Sequence, residues 1–264
     1  MTAFRTIEVS DASRSPENLR FVTVKSEHLR GRGDVTLFVP DGLEAPAPML
    51  LLLHGVYGSH WSWTYKGGGH EIAQDLIDRE AIQPLVMAMP SDGLWGDGSG
   101  YLPHPDRDFQ AWITEDVLKL TREVVEPVTA SSTLFMGGLS MGGYGALRIG
   151  CLDETEVCAV SAHSSITRVE QMEQFVEEPL DRYTKGGCER LSVAETIRKN
   201  RGTLPALRFD CGTDDDLLEA NRTLHRQLDR ADVSHTYEEH PGGHEWSYWR
   251  ERLVDSLRFF DRVS

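Results

Sequence analysis

Short apolar runs alternate with longer amphipathic segments along most of the chain, the pattern of a mostly parallel sheet covered by helices. Residues 48–54 form an apolar run ending in His54-Gly55, as expected of a strand buried on both faces. Residues 69–80 then carry Ile72, Ala73, Leu76 and Ile77 at helical spacing, and 84–89 read as a strand stopped by Pro90. Residues 108–128 predict a long helix, with Asp108 as N-cap and Trp112, Ile113, Val117, Leu120 and Val124 on one face. Strands follow at 133–139, 157–162, 205–211 and 233–238, and helices at 141–151, 216–230 and 246–263. Ahead of all these, 19–29 and 35–40 flank Gly31-Arg32-Gly33-Asp34 and read as an antiparallel hairpin.

Two segments depart from the alternation. Residues 91–105 form a Gly-rich loop too long for a plain connection, which favours a functional role. Residues 163–204 are polar, weakly periodic and contain Gly186-Gly187; they read as a lid-like insertion over the sheet's carboxyl edge. With no repeat and no low-complexity linker, residues 1–264 are expected to form one α/β domain.

The charge balance narrows the function. With 27 basic against 42 acidic residues the formal net charge is −15, and nucleic acid is not an expected partner. No stretch approaches the roughly 18 apolar residues of a membrane span. The first residues lack a hydrophobic signal core, so a cytoplasmic location is expected. Four scattered cysteines (Cys151, Cys158, Cys188, Cys211) do not suggest a disulfide framework. Asn221-Arg222-Thr223 matches a glycosylation sequon, which carries no meaning in such a context.

The sharpest chemical signal is Gly138-Leu139-Ser140-Met141-Gly142, set between a predicted strand and a predicted helix. A serine on that strained turn projects its hydroxyl above the sheet, and flanking glycines let the backbone bend. The Met141 amide, first of the helix, then faces a developing oxyanion. Serine needs an imidazole to take its proton and a carboxylate to orient the imidazole, in the chain order Ser, acid, His.

Downstream, the strand ending in Cys211-Gly212 runs into Thr213-Asp214-Asp215-Asp216. Asp215 is the expected acid, with Asp214 as alternative and Asp216 as the N-cap of the following helix. His244, emerging from Gly242-Gly243 before the last helix, is the expected base. His240 is tied to its strand by Pro241, and His225 and His235 suit surface or packing roles.

His54-Gly55-Val56-Tyr57-Gly58 follows the apolar strand, and Val56 N–H is the expected second oxyanion donor, with Tyr57 N–H as alternative. Tyr57, Trp61, Trp95 and Tyr101 are candidates for a substrate-binding wall, joined by His163 at the end of its strand. No metal or other cofactor is expected. His70-Glu71 and His244-Glu245 lack the second histidine of H-E-x-x-H, and Gly96-x-Gly98-x-Gly100 does not lead from strand into helix.

LLLHGVYGSHWSW, GDGSGYL, GLSMGGYGALR, DCGTDDDLLEANR and EEHPGGHEWSYW together resemble the "putative esterase" family of α/β-hydrolases. That family includes esterase D (S-formylglutathione hydrolase), tributyrin, acetyl-xylan and feruloyl esterases, and the antigen 85 mycolyltransferases. The likeness spans roughly residues 20–262. It implies Ser140 as nucleophile, Asp215 as acid, His244 as base, and the Val56 and Met141 amides as oxyanion donors. Esterase D proteins usually carry L-x-G-L-T-C-T at the oxyanion strand, where this chain has LLHGVYG. The expected activity is hydrolysis of a small short-acyl ester. Acyl transfer or thioester hydrolysis is the alternative, and a non-catalytic receptor the remote one. Self-association is left open.

Overall fold

The computed structural model describes residues 4–184 and 192–263. One nine-stranded sheet runs through it in the order β1-β2-β3-β5-β4-β6-β7-β8-β9. The strands are β1 (Ile7–Val9), β2 (Leu19–Ser26), β3 (Gly31–Phe38), β4 (Met49–Leu53), β5 (Val86–Pro90), β6 (Leu134–Leu139), β7 (Val157–His163), β8 (Ala206–Gly212) and β9 (Thr236–His240). β1, β2 and β3 pair antiparallel, β3 pairs antiparallel with β5, and every pairing from β5 to β9 is parallel. The helices are α1 (Ser62–Tyr65), α2 (Gly69–Asp78), α3 (Phe109–Ala111), α4 (Leu118–Val124), α5 (Met141–Gly150), α6 (Asp181–Thr184), α7 (Val193–Lys199), α8 (Leu218–Arg230) and α9 (Trp246–Asp261). This is the α/β-hydrolase fold, a mostly parallel sheet flanked by helices.

The continuous apolar run of β4 has a direct cause. Met49, Leu51 and Leu53 join the core under α5, α7 and α8, while Leu50 and Leu52 join the core under α2 and α9. A strand covered on both faces needs apolar residues at every position. Each such leucine contributes about 1.5–3 kcal/mol relative to exposure.

The hairpin turn lies elsewhere than expected. Gly31 to Asp34 belong to β3, and the chain reverses over residues 27–30, with Arg30 at φ 49°. Gly33 is small for a packing reason: a Cβ there would come 2.5 Å from Trp112 Cη2. Asp108 does cap its helix, accepting from Ala111 N–H at 2.8 Å. Between α3 and α4 the backbone widens to a π-helix over Trp112–Val117, and Trp112 Nε1 donates to Ser91 O at 2.8 Å. Asp216 is exposed and does not cap α8; the N-cap position falls on Leu217. Asn221 of the sequon is fully buried, its amide donating to Ser165 O and Leu217 O at 2.9 Å, so it is unavailable to a glycan.

Within 163–204, Val193 and Ile197 of α7 pack into the core. Residues 164–184 lie nearer the carboxyl edge. There Glu178 accepts from Asp97 N–H, Asp97 accepts from Glu177 N–H at 2.7 Å, and Tyr183 donates to Gly98 O at 2.9 Å. The segment is thereby pinned to the 91–105 loop. Gly186-Gly187 and Cys188 lie outside the described residues. Among the described residues no helix is long and apolar enough to cross a membrane.

Candidate active site

Strand order reverses around β4, so β4 and β6 lie side by side and their carboxyl ends open a crevice. Leu53 pairs with Gly138, which brings the loop after β4 beside the turn after β6. Ser140 sits on that turn at φ 53° and ψ −119°, a conformation costly for a residue with a Cβ. Neighbouring backbone holds it: Ser140 N–H donates to His163 O at 2.9 Å, and Ile166 N–H donates to Ser140 O at 3.2 Å. The flanking glycines are steric requirements. A Cβ on Gly142 would lie 2.4 Å from Leu53 O, and one on Gly138 2.4 Å from Gly142 O.

Asp215 follows β8 and His244 follows β9, neighbouring parallel strands whose loops leave the same edge. His244 Nδ1–H donates to Asp215 at 3.0 Å (Oδ2) and 3.2 Å (Oδ1). That fixes the tautomer, leaving the Nε2 lone pair 3.0 Å from Ser140 Oγ. Burial alone would raise the Asp215 carboxyl, but the His244 and Leu217 N–H bonds outweigh it and hold it below its usual range. Asp214 and Asp216 are both exposed and outside this array.

The loop after β4 is set by a buried histidine. His54 donates from Nδ1 to Gly55 O at 2.7 Å and accepts at Nε2 from Asp92 N–H at 3.0 Å, so the ring is neutral. Burial also depresses its proton affinity. Asp92 in turn accepts from Leu94 and Ser99 N–H at 3.0 and 2.6 Å, shaping the 91–105 loop. Tyr57 N–H is taken by Asp97 O at 2.9 Å and is thus spoken for. The amides of Val56 and Met141 have no carbonyl partner among the described residues.

Around Ser140 and His244 lies a cleft of about 180 Å³ lined by Val56, Tyr57, Lys66, Phe175, Trp246 and Trp249 among others. Phe175 stacks on the His244 ring at 5.2 Å, and Trp249 meets it edge-on at 4.9 Å. Neither Phe175 nor Lys66 stands out in the sequence. Trp246 and Trp249 do belong to the EWSYW segment, in the first turn of α9.

Of the expected substrate wall, Tyr57 lines the cleft, whereas Trp61, Trp95, Tyr101 and His163 do not. Trp61 is half-exposed, with Lys66 over its ring. Trp95 packs on His104 and Tyr183 under Arg182. Tyr101 is fully buried and donates to His54 O at 3.0 Å, bracing the loop from behind.

His163 is also a buried framework residue. It donates from Nδ1 to Asp210 at 2.8 Å, and its Nε2 meets Ser256 Oγ at 2.9 Å beneath α9. A histidine at a strand end reads like a cleft residue in sequence, but the last helix covers it.

Residues 26–260 match the family model described as "Putative esterase". An acetyl esterase from Caldicellulosiruptor saccharolyticus is 25% identical over 81% of this chain and 84% of its own. Among solved structures, a ferulic acid esterase superposes with TM-score 0.81 at 23% identity, covering 99% of this chain and 100% of its own. A substrate-bound fluorophosphonate-binding serine hydrolase from Staphylococcus aureus gives 0.77 at 19% identity, with 93% and 98% covered. The two structural likenesses speak to the fold. The match over most of the length makes the chain a member of the "Putative esterase" family and a carboxylic ester hydrolase.

Proposed function

We propose that the protein is a serine esterase for short acyl chains, with Ser140 as nucleophile, His244 as base and Asp215 as its orienting acid. The observation that carries this reading is the pair of contacts on one imidazole, 3.0 Å to Ser140 Oγ and 3.0 Å to Asp215 Oδ2. Ser140 Oγ attacks the ester carbonyl while its proton passes to His244 Nε2. The resulting oxyanion accepts from the Val56 and Met141 amides, each such donor being worth about 2.7–4 kcal/mol in the transition state. Collapse expels the alcohol, which takes the proton from His244. Water then adds to the acyl-enzyme, giving its proton to His244, and the second collapse returns that proton to Ser140 as the acid leaves.

A small acyl group is favoured by the modest cleft, about 180 Å³, whose walls include Phe175, Trp246 and Trp249. The acetyl esterase among its relatives is consistent with that size. The test is hydrolysis of p-nitrophenyl acetate, butyrate and octanoate by wild type and Ser140→Ala. Turnover should fall from acetate to octanoate and vanish in the variant. Equal rates on octanoate would refute the short-acyl assignment. Stoichiometric nitrophenol release without turnover would instead identify an acyl-enzyme awaiting another acceptor.

A further inference from the structure

We propose that His225, Asp229 and His235 form a binding site for a divalent metal ion of the zinc class, at the edge of the sheet opposite the cleft. His225 and Asp229 are one turn apart on α8 and so share a face. His235 immediately precedes β9, whose far end leads into the His244 loop. One ring nitrogen from each histidine and a carboxylate oxygen all lie within 4.8 Å of one another.

The contacts leave two electron-rich groups facing each other. His235 Nδ1–H donates to Val233 O at 2.7 Å. His235 Nε2 and His225 Nδ1 then meet at 2.8 Å, and His225 Nε2 faces Asp229 Oδ2 at 3.3 Å. Two neutral rings satisfy both hydrogen bonds, with His225 Nδ1–H donating to His235 Nε2, and the His225 Nε2 lone pair then faces the Asp229 carboxylate. A bound cation would bridge these two groups, 3.3 Å apart.

Several features favour the cation. The Val233 carbonyl fixes His235 with its Nε2 turned toward the cluster, the arrangement that orients metal-binding histidines. Both rings are held against aromatic faces, His235 on Phe209 at 5.6 Å and His225 on Tyr237 at 4.9 Å. A tetrahedral ion with bonds of about 2.0–2.1 Å sets its donors about 3.3 Å apart. The 2.8 Å between the ring nitrogens and the 3.9 Å from His235 Nε2 to Asp229 Oδ1 straddle that spacing. Imidazole and carboxylate donors suit zinc over harder cations. The His235 side chain is 2% exposed and that of Asp229 59%, so the site has a rigid floor and an open entrance. Bound there, the ion would clasp α8 to the outermost strand.

Zn²⁺ titrated into the metal-free full chain, with Co²⁺ absorption as a second readout, tests the assignment. Wild type should bind one equivalent and show a tetrahedral Co²⁺ spectrum, and Zn²⁺ should raise its thermal midpoint. His225→Ala and Asp229→Asn alter a half-buried and an exposed position of a helix; each should weaken binding by at least about tenfold and abolish the Co²⁺ band. Ester turnover of metal-free His225→Ala should match wild type. Failure of wild type to bind Zn²⁺, or equal binding by both variants, would overturn the site.

Discussion

The protein holds two Ser–His–Asp arrays of nearly the same local geometry. In one, His244 lies 3.0 Å from Ser140 Oγ and 3.0 Å from Asp215; in the other, His163 lies 2.9 Å from Ser256 Oγ and 2.8 Å from Asp210. Their surroundings differ. Ser140 stands on a strained turn at a cleft, beside two amides without carbonyl partners among the described residues. Ser256 lies inside α9, away from the cleft lining, with its hydroxyl also bonded to Ser161 at 2.7 Å.

The buried array is closed on itself. Arg208 donates to Ser161, Ser161 to Ser256, Ser256 to His163, and His163 to Asp210. Asp210 also accepts from Arg208 at 2.6 Å and Tyr248 at 2.8 Å, so every strong donor has a partner. A satisfied network of this kind fixes elements in place, here β7, β8 and α9. Triad distances alone therefore do not make a nucleophile; a cleft, backbone strain and two amides without carbonyl partners among the described residues separate the two.

The contrast can be broken first at the serines. Ser140→Ala should lower kcat by about 10⁶, to background, whereas Ser256→Ala should leave ester turnover within about twofold. Comparable losses in both, measured on p-nitrophenyl acetate, would remove the distinction. The carboxylates come next. Asp215→Asn should lower kcat by about 10⁴ through the wrong tautomer, with little change in the urea midpoint.

Asp210→Asn should do the reverse, costing about 3–5 kcal/mol of stability by leaving Arg208 without its buried partner, while the folded fraction keeps its turnover. The pH dependence sharpens this. Burial would raise the Asp210 carboxyl, yet its His163, Arg208 and Tyr248 partners hold it at about 2. Its stabilisation is complete above the ordinary value of 3.8 and is lost as pH falls toward about 2. Urea midpoints should drop over that interval more steeply in wild type than in the Asn variant. The smallest effect is Tyr248→Phe, which removes one donor to Asp210 and should cost about 1–2 kcal/mol with activity retained.

What the sequence made legible follows the same division. β4, β6 and the turn at Ser140 were readable because burial on both faces and steric need leave few residue choices. The meeting of Asp215 and His244 beside Ser140 was readable because the loops after successive parallel strands converge. β1 was not, since Ile7–Val9 is short and mostly exposed. The hairpin turn was misplaced because Gly33 answers to Trp112, far along the chain, rather than to local bending. Trp95, Tyr101 and His163 shared one difficulty: a polar or aromatic residue at a strand's carboxyl end or in the loop beyond it looks alike whether it faces a cleft or is covered by a neighbouring loop or helix.

The most direct measurement is covalent labelling of the folded protein with a fluorophosphonate, followed by peptide mass analysis. A single adduct on Ser140, absent from Ser140→Ala and undiminished in Ser256→Ala, is the predicted result. An adduct on Ser256, or none on Ser140, would contradict the assignment of the nucleophile.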